Sequence, residues 1–494
     1  MLALPELSPS KPSPTLLAKF KAGLGGPDRM TAIREGLIGS NARMDGPFGE
    51  KTLVYADYVA SGRALRQIEE FILEEVLPYY ANSHTEASYC GGMMTRLRRE
   101  ARAVIADCCG ADGSHAVIFA GSGATAGLNR LVNLLGVAEA VAAGRRVRVL
   151  IGPYEHHSNI LPWRESGAEV IEIAEGRDGG PDPLLLKDVL RTDPANLTIC
   201  SFSAASNVTG VTTDVAAITA IAKAAGAKVV WDYAGAGPYL PIAMSPAPDA
   251  AIDAIVVSPH KFIGGPGASG ILIVRRDAVV SHKPSWSGGG TVKFVSPTAH
   301  DYSDSLEARE ESGTPNVVGD IRAALAFLVK QVIGLDEMQR RNDVLVRRAF
   351  SAWRDIPEIE VLGSQTLQRL PILSFRVRDG EGGYVHQQLI TRMLSDRFGI
   401  QARGGCACAG PYVHRLLSID AETSERMRQA ILEGREIEKP GFTRLNLSVL
   451  LSDEKVVFIL ESVAQLARDA TRHRQHYAFD PTRAIFSPLP AERG

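Results

Sequence analysis

The chain has 494 residues, 45% of them hydrophobic and 22% charged, with a formal net charge of −2 at pH 7, so it can fill a large core and more than one ordinary domain. The balanced charge gives no basic footprint for nucleic acid and no polybasic tract for a membrane surface, and no apolar run reaches the roughly 18 residues of a membrane span. The N-terminus, Met1-Leu-Ala-Leu-Pro, lacks the charged start and apolar core of a signal peptide, and six cysteines in so long a chain fit a reducing cytoplasm rather than a disulfide framework.

Pro5, Pro9, Pro12 and Pro14 make residues 1–25 read as an arm. From about residue 100 to 275 helical stretches (Leu97 to Cys108, Val215 to Ala225) alternate with short apolar runs. These runs are Ala116 to Phe119, Val147 to Ile151, Leu197 to Cys200, Lys228 to Trp231, Ala254 to Val257 and Ile271 to Val274. Near-continuous apolar strands between helices predict an α/β fold, a mostly parallel sheet covered on both faces. A long helical stretch, Asp320 to Trp353, follows. Leu370 to Val377 and Arg444 to Leu450 then read as strands of a smaller α+β domain, and the charged run Glu422 to Lys439 as a surface helix and loop.

The strand Lys228 to Trp231 ends in Asp232, and the strand Ala254 to Val257 delivers Ser258-Pro-His-Lys261 to a glycine-rich turn. An acid and a lysine at two strand ends suit pyridoxal phosphate (PLP), the acid pairing with the pyridinium nitrogen and the lysine forming the Schiff base. Gly121-Ser-Gly-Ala-Thr125 joins a strand to a helix; it is either a phosphate cradle of backbone N–H groups and hydroxyls or a plain flexible turn. It is not a Walker A loop, because no Gly-Lys-Ser/Thr follows. In Glu155-His-His-Ser-Asn159 a histidine can stack on a flat cofactor and shuttle protons. Asn207 is either a donor to a phenolate oxygen or a turn residue.

Arg403-Gly-Gly-Cys-Ala-Cys-Ala-Gly410 sets two cysteines in a mobile or tightly turned loop, where a neighbouring arginine favours the thiolate. An inert pair is the alternative; a metal set of Cys406, Cys408 and His414 lacks the usual zinc spacing. Arg444 opens a late strand and is either a grip for a substrate carboxylate or a surface arginine.

Taken in order, these motifs resemble the class V aminotransferase family, of PLP fold type I, in its cysteine desulfurase and selenocysteine lyase branch. The resemblance covers roughly residues 50 to 465. It begins at Tyr55-Ala-Asp-Tyr-Val-Ala-Ser61, continues through Asn82-Ser-His84, and includes Glu311-Ser-Gly-Thr-Pro-Asn316. It implies a large PLP-binding domain (81–330) with a mostly parallel seven-stranded sheet. A smaller α+β domain would be drawn from both chain ends (26–80 and 331–480), with 481–494 as a tail. It implies Lys261 as the Schiff-base lysine, Asp232 as the pyridinium partner, His156 as the ring-stacking acid/base and Asn207 near the cofactor's O3′. Ala124, Thr125, Ser258 and His260 would bind the phosphate, and Thr314 would reach the phosphate of a neighbouring subunit in a homodimer with shared active sites. Cys408 aligns with the persulfide-forming cysteine, Arg403 with the arginine of that loop, and Arg444 with the arginine that binds the substrate's α-carboxylate.

The activity so implied is removal of sulfur or selenium from L-cysteine or selenocysteine, giving alanine, with a possible sulfur-acceptor protein as partner. The competing expectation is a β-lyase or aminotransferase without a cysteine nucleophile. The chain departs from the pattern at Asp232-Tyr-Ala-Gly235, where the family has D-G-A-Q, with Tyr233 near the missing glutamine. It departs again at Cys406 and Ala407, which replace two histidines of the cysteine loop.

Overall fold

The computed structural model describes residues 14–83 and 86–489. Pro5, Pro9, Pro12, His84 and the last residues of the expected tail lie outside them. Seven strands form the main sheet: β1 His115–Gly121, β2 Val147–Ile151, β3 Glu169–Glu172, β4 Leu197–Ser203, β5 Lys228–Asp232, β6 Ala254–Val257 and β7 Gly270–Arg275, in the order 1-7-6-5-4-2-3. β7 alone runs antiparallel, against both β1 and β6; the pairs β6–β5, β5–β4, β4–β2 and β2–β3 are parallel.

Strand residues alternate between the two faces. Ala254 and Val256 of β6 pack with Leu128 and Leu131 of α3 (Gly123–Leu134). Ile255 and Val257 pack with Leu97, Ala101 and Ile105 of α2 (Tyr89–Cys108) and Ile321 of α4 (Val317–Ile333). This is why both strand faces are apolar in the sequence. The strand missing from the apolar runs is β3, a sheet edge whose residues stay partly exposed.

A second sheet joins β8 Ile359–Val361, β9 Ile372–Arg378, β10 Arg403–Gly405 and β11 Phe442–Asn446 in the order 8-9-11-10, with Tyr384–Val385 on β9. Its core includes α5 (Leu335–Trp353) and α6 (Asp453–His473). The single helical stretch expected from Asp320 to Trp353 is two helices, α4 and α5, because Gly334 between them takes φ +89°, a region that disfavours side chains.

The N-terminal segment divides between the cores. Val54–Tyr55 pairs in parallel with Ile400–Gln401 beside the second sheet, whereas Ile33, Leu65, Ile68, Ile72 and Val76 are buried in the core of the main sheet. Leu17 and Leu24 of α1 (Leu16–Leu24) join that core too.

One buried ionic network ties α2 to α4 and β1. Arg98 of α2 meets Glu311 and Asp320, each at 2.6 Å, and Glu311 also accepts from Arg102 at 2.7 Å and from the Phe119 amide at 2.8 Å. Burial raises the Asp320 carboxyl to about 6 even beside that guanidinium. Arg98→Leu leaves Asp320 without its cation, a class of change that costs about 3–5 kcal/mol. Chemical denaturation should show a loss of that size; a change as small as that of exposed Arg99→Leu would contradict this account.

Candidate active site

Because β1, β2, β4, β5 and β6 run the same way, their carboxyl ends meet at one edge of the sheet, the usual ligand position in such folds. The loops there wall a cavity of about 250 Å³. Ser122 to Thr125 come from the β1 turn, His156 and Ser158 from the loop after β2, Ala205 and Asn207 from beyond β4. Asp232 ends β5, and Ser258, His260 and Lys261 follow β6. The second sheet closes the cavity with Arg403, Ala407, Cys408 and Arg444, and Val59 and Ala60 arrive from the N-terminal segment. Every site residue expected from the sequence lines this cavity except Thr314, which is exposed outside it.

The β1 turn is built as a cradle. Gly123 has φ +66°, and a Cβ there would lie 2.9 Å from the His260 ring and 3.0 Å from Ser258 Oγ. The Ala124 amide donates to Ser258 Oγ at 2.9 Å, and Thr125 and Ser158 hydroxyls pair at 2.7 Å. Backbone N–H groups and hydroxyls at the start of α3 suit a phosphate. His156 accepts at Nδ1 from the Ser158 amide at 3.1 Å, which assigns its ring proton to Nε2. Burial and the nearby Lys261 charge lower its pKa to about 4, and burial lowers that of His260 to about 4. Both rings are neutral at pH 7.

Asp232 is buried, and burial raises its pKa, opposed by the Ala234 amide and by Lys261. Desolvation lowers the Lys261 amine to about 8; Asp232 and Asp57 push it up, Arg444 and Arg403 push it down. A buried carboxylate, a readily deprotonated amine and a phosphate cradle are the donor set that a phosphorylated pyridine aldehyde needs.

Two acids carry the frame without having been assigned a role from the sequence. Glu155 is 3% exposed and accepts from Ser203 N at 2.8 Å, Ser203 Oγ at 2.7 Å, Gly152 N at 3.2 Å and Asn159 Nδ2 at 2.5 Å. Burial raises it to about 7, and it pins the His156 loop to β4. Asp57 accepts from Arg403 Nε at 2.9 Å and pairs with Arg444 Nη2 at 3.2 Å. Arg444 is 4% exposed; its Nη1 donates to the Asn207 carbonyl at 2.9 Å, and its buried Nε has no partner among the described residues. The Asn207 amide donates to the Ala407 carbonyl at 2.8 Å, leaving its buried Oδ1 unpartnered among them. Unpaired buried polar atoms facing a cavity mark where a ligand's polar groups go.

Tyr233 does not stand in for the missing glutamine. Its ring is 3% exposed in the main core, and it follows Asp232, the last residue of β5, without lining the cavity. Gly235 takes the lining position, and a Cβ there would make only ordinary contacts, with Asn207 at 3.6 Å and the Ala205 carbonyl at 3.8 Å.

The cysteine loop is a tight turn. Ala407 and Cys408 have φ +51° and +54°, a conformation that costs non-glycine residues about 1–3 kcal/mol each and collects at functional sites. Cys408 is exposed and Cys406 partly buried. His414 is engaged elsewhere, through Nδ1 with the Gly410 carbonyl at 2.8 Å and Nε2 with Ser424 Oγ at 2.9 Å.

The model of the family described as aminotransferase class-V matches residues 54–428. The chain belongs to the class-V aminotransferase family. Within it, a cysteine desulfurase of Klebsiella pneumoniae is 30% identical over 370 residues, 74% of this chain and 86% of that protein. A probable cysteine desulfurase of Pyrococcus abyssi is 27% identical over 383 residues, 77% and 90% of the two. The apo structure of a cysteine desulfurase from Thermococcus onnurineus NA1 has a TM-score of 0.71 at 24% identity, covering 88% of this chain and 97% of that one, a likeness of fold. The family membership and that likeness agree with the fold type I architecture expected from the sequence.

Asp57→Ala should remove the counter-charge of a buried guanidinium, which costs about 3–5 kcal/mol. It should also move the Lys261 amine further down, since Asp57 raises it. Denaturation and the pH dependence of amine labelling check the two effects, and an unchanged labelling profile would contradict the electrostatic part.

Proposed function

We propose that the protein is a PLP-dependent cysteine desulfurase-like enzyme, removing sulfur from L-cysteine, or selenium from selenocysteine, through a persulfide on Cys408 and yielding alanine. The observation that carries this reading is the presence of an exposed cysteine in the same cavity as Lys261 and Asp232. The names of the relatives support it.

PLP, when bound, supplies an electron sink for negative charge at the amino acid's α-carbon. Lys261 would hold it covalently and Asp232 would keep its ring nitrogen positive. The Gly123–Thr125 backbone, Thr125, Ser258 and His260 would hold its phosphate, and His156 would lie against its ring. The orphaned Asn207 Oδ1 and the open flank at Gly235 leave room for its polar edge or for a bridging water. Arg444, with an unpartnered Nε, grips the substrate carboxylate, and its own pairing to Asp57 fixes the fork's orientation. The Lys261 amine takes the substrate's α-proton, for which a pKa near working pH is suited. The Cys408 thiolate attacks the substrate sulfur; the carbon–sulfur bond breaks, its electron pair stays with carbon, and protonation gives alanine. Thr314, exposed beyond the cavity, would serve the phosphate site of a second copy in a homodimer with shared sites. No helix among the described residues is long and apolar enough to cross a membrane, and the cytoplasm is the proposed setting.

Two measurements test this. Incubated with L-cysteine and a thiol reductant, the PLP-loaded protein should release alanine and sulfide in equal amounts, and Cys408→Ala should lower the rate by more than about a thousandfold. Sulfide accompanied by pyruvate would indicate a β-lyase instead. Covalent capture of PLP by the ligand-free protein should quicken about tenfold per pH unit up to about pH 8 and then level off, as Lys261 loses its proton. A rate still climbing toward the ordinary lysine range, near 10.4, would show that the amine is not depressed.

A further inference from the structure

The loop that carries Cys408 holds a second thiol, Cys406, that the reaction above leaves unused. Three of the other cysteines are poor candidates for chemistry: burial pushes Cys108 and Cys200 up to about 12 and Cys109 higher still. Cys406 differs in both place and setting. The Ala409 amide donates to the Cys406 carbonyl at 3.2 Å, and the two residues between have positive φ, so Cys406-Ala-Cys-Ala409 is a reverse turn with both central residues left-handed.

The turn is anchored on three sides. Asn207 Nδ2 donates to the Ala407 carbonyl at 2.8 Å, the His157 amide to the Cys408 carbonyl at 2.8 Å, and the Gly410 amide to His157 Nε2 at 3.0 Å. Cα atoms two residues apart span at most about 7 Å when extended. Turning the chain back brings them into the roughly 4.4–6.8 Å that a disulfide requires. Cys408 faces the cavity, whereas Cys406 is partly buried against the apolar cluster of Tyr154, Ala409 and Tyr412 and is not part of the lining. A loop tied down in this way keeps the two thiols two residues apart on one turn.

We propose that Cys406 is the resolving thiol of Cys408, an inference that rests on the persulfide reading above. The Cys406 thiolate attacks Cys408 Sγ, the Cys406–Cys408 bond forms, and the bond to the terminal sulfur breaks with its electron pair, so that hydrosulfide leaves. The two thiols are thereby oxidised and the transferred sulfur is reduced. A small or protein dithiol then supplies two electrons by thiol–disulfide exchange, becoming a disulfide itself and restoring both cysteines. Sulfur thus leaves this site as hydrosulfide, and turnover is coupled to a dithiol reductant rather than to an acceptor thiol that must reach the cavity.

The wild type and Cys406→Ser, both ligand-free, are treated with oxidised glutathione and followed by intact mass and peptide mapping. The wild type should lose two hydrogens and give a Cys406–Cys408 cross-linked peptide, while the variant should keep glutathione on Cys408. A wild type that retains glutathione on Cys408 as the variant does overturns the proposal, with no dependence on turnover. In the second arm, each PLP-loaded protein receives one molar equivalent of L-cysteine without reductant. The wild type should release sulfide and the variant should hold the extra sulfur on Cys408, releasing it about tenfold more slowly or worse until a dithiol is added. Equal release from both overturns the proposal. Absence of alanine from both overturns the desulfurase reading instead, and the glutathione result then decides whether the two thiols form a resolving pair.

Discussion

Asp57 is the hinge of the electrostatics. One carboxylate sits between two guanidinium groups, Arg403 and Arg444, that reach the cavity from adjacent strands of the second sheet. Arg444 is buried, so without Asp57 its charge would stand unsolvated; Arg403 is largely exposed, and its share of the pairing is screened by solvent. The sum is one positive charge in excess, held in fixed orientation at the cavity wall. The same pair of arginines depresses Lys261 from a distance. Burial is the larger influence on that amine, and the two arginines add to it. Asp57 is also the point at which the N-terminal segment bridges to Asn446 of β11.

The main sheet supplies the complementary constraint. Its parallel strands present Asp232, Lys261 and the loops of His156 and Asn207 at one edge, over a core that excludes water. Burial raises Asp232 and Glu155 and lowers Lys261, His156 and His260. Each shift disfavours the charged form, as desolvation must. What differs is the compensation. Glu155 is satisfied by backbone and hydroxyl donors and acts as a staple, whereas Asp232 has the Ala234 amide and the field of Lys261. In the proposed function a cationic ring nitrogen would be the partner of such a carboxylate.

How much of this was legible in the sequence follows from what each residue answers to. The strands buried on both faces announced themselves as apolar runs, and Asp232 and Lys261 stood at or just beyond the ends of two of them. Edge strand β3 was invisible because a half-exposed edge tolerates Glu169 and Glu172. The break at Gly334 was missed because a glycine inside an apolar-periodic stretch reads as a tolerated helix residue, and only its φ separates α4 from α5. Asp57 and Glu155 were quoted within motifs but given no task. Their roles depend on partners that are distant in sequence, Arg444 for one and Ser203 for the other, and no local pattern encodes such pairings. Tyr233, near the absent glutamine in sequence, lies in the core instead, on the side opposite Asp232.

The replacement of two loop histidines by Cys406 and Ala407 gains its meaning from the turn. A left-handed pair of residues is costly for alanine and cysteine, so the conformation persists because the Asn207 side-chain amide and the His157 backbone amide hold its carbonyls. Those holders belong to the loops that carry Asn207 and His156 into the cavity. The cysteine turn is thus coupled to the cofactor-side loops rather than free to travel as a tether. In the proposed reaction a thiol held by this turn receives sulfur from a substrate gripped by Arg444 and has little travel of its own. The neighbouring thiol on the same turn is the group proposed to discharge it.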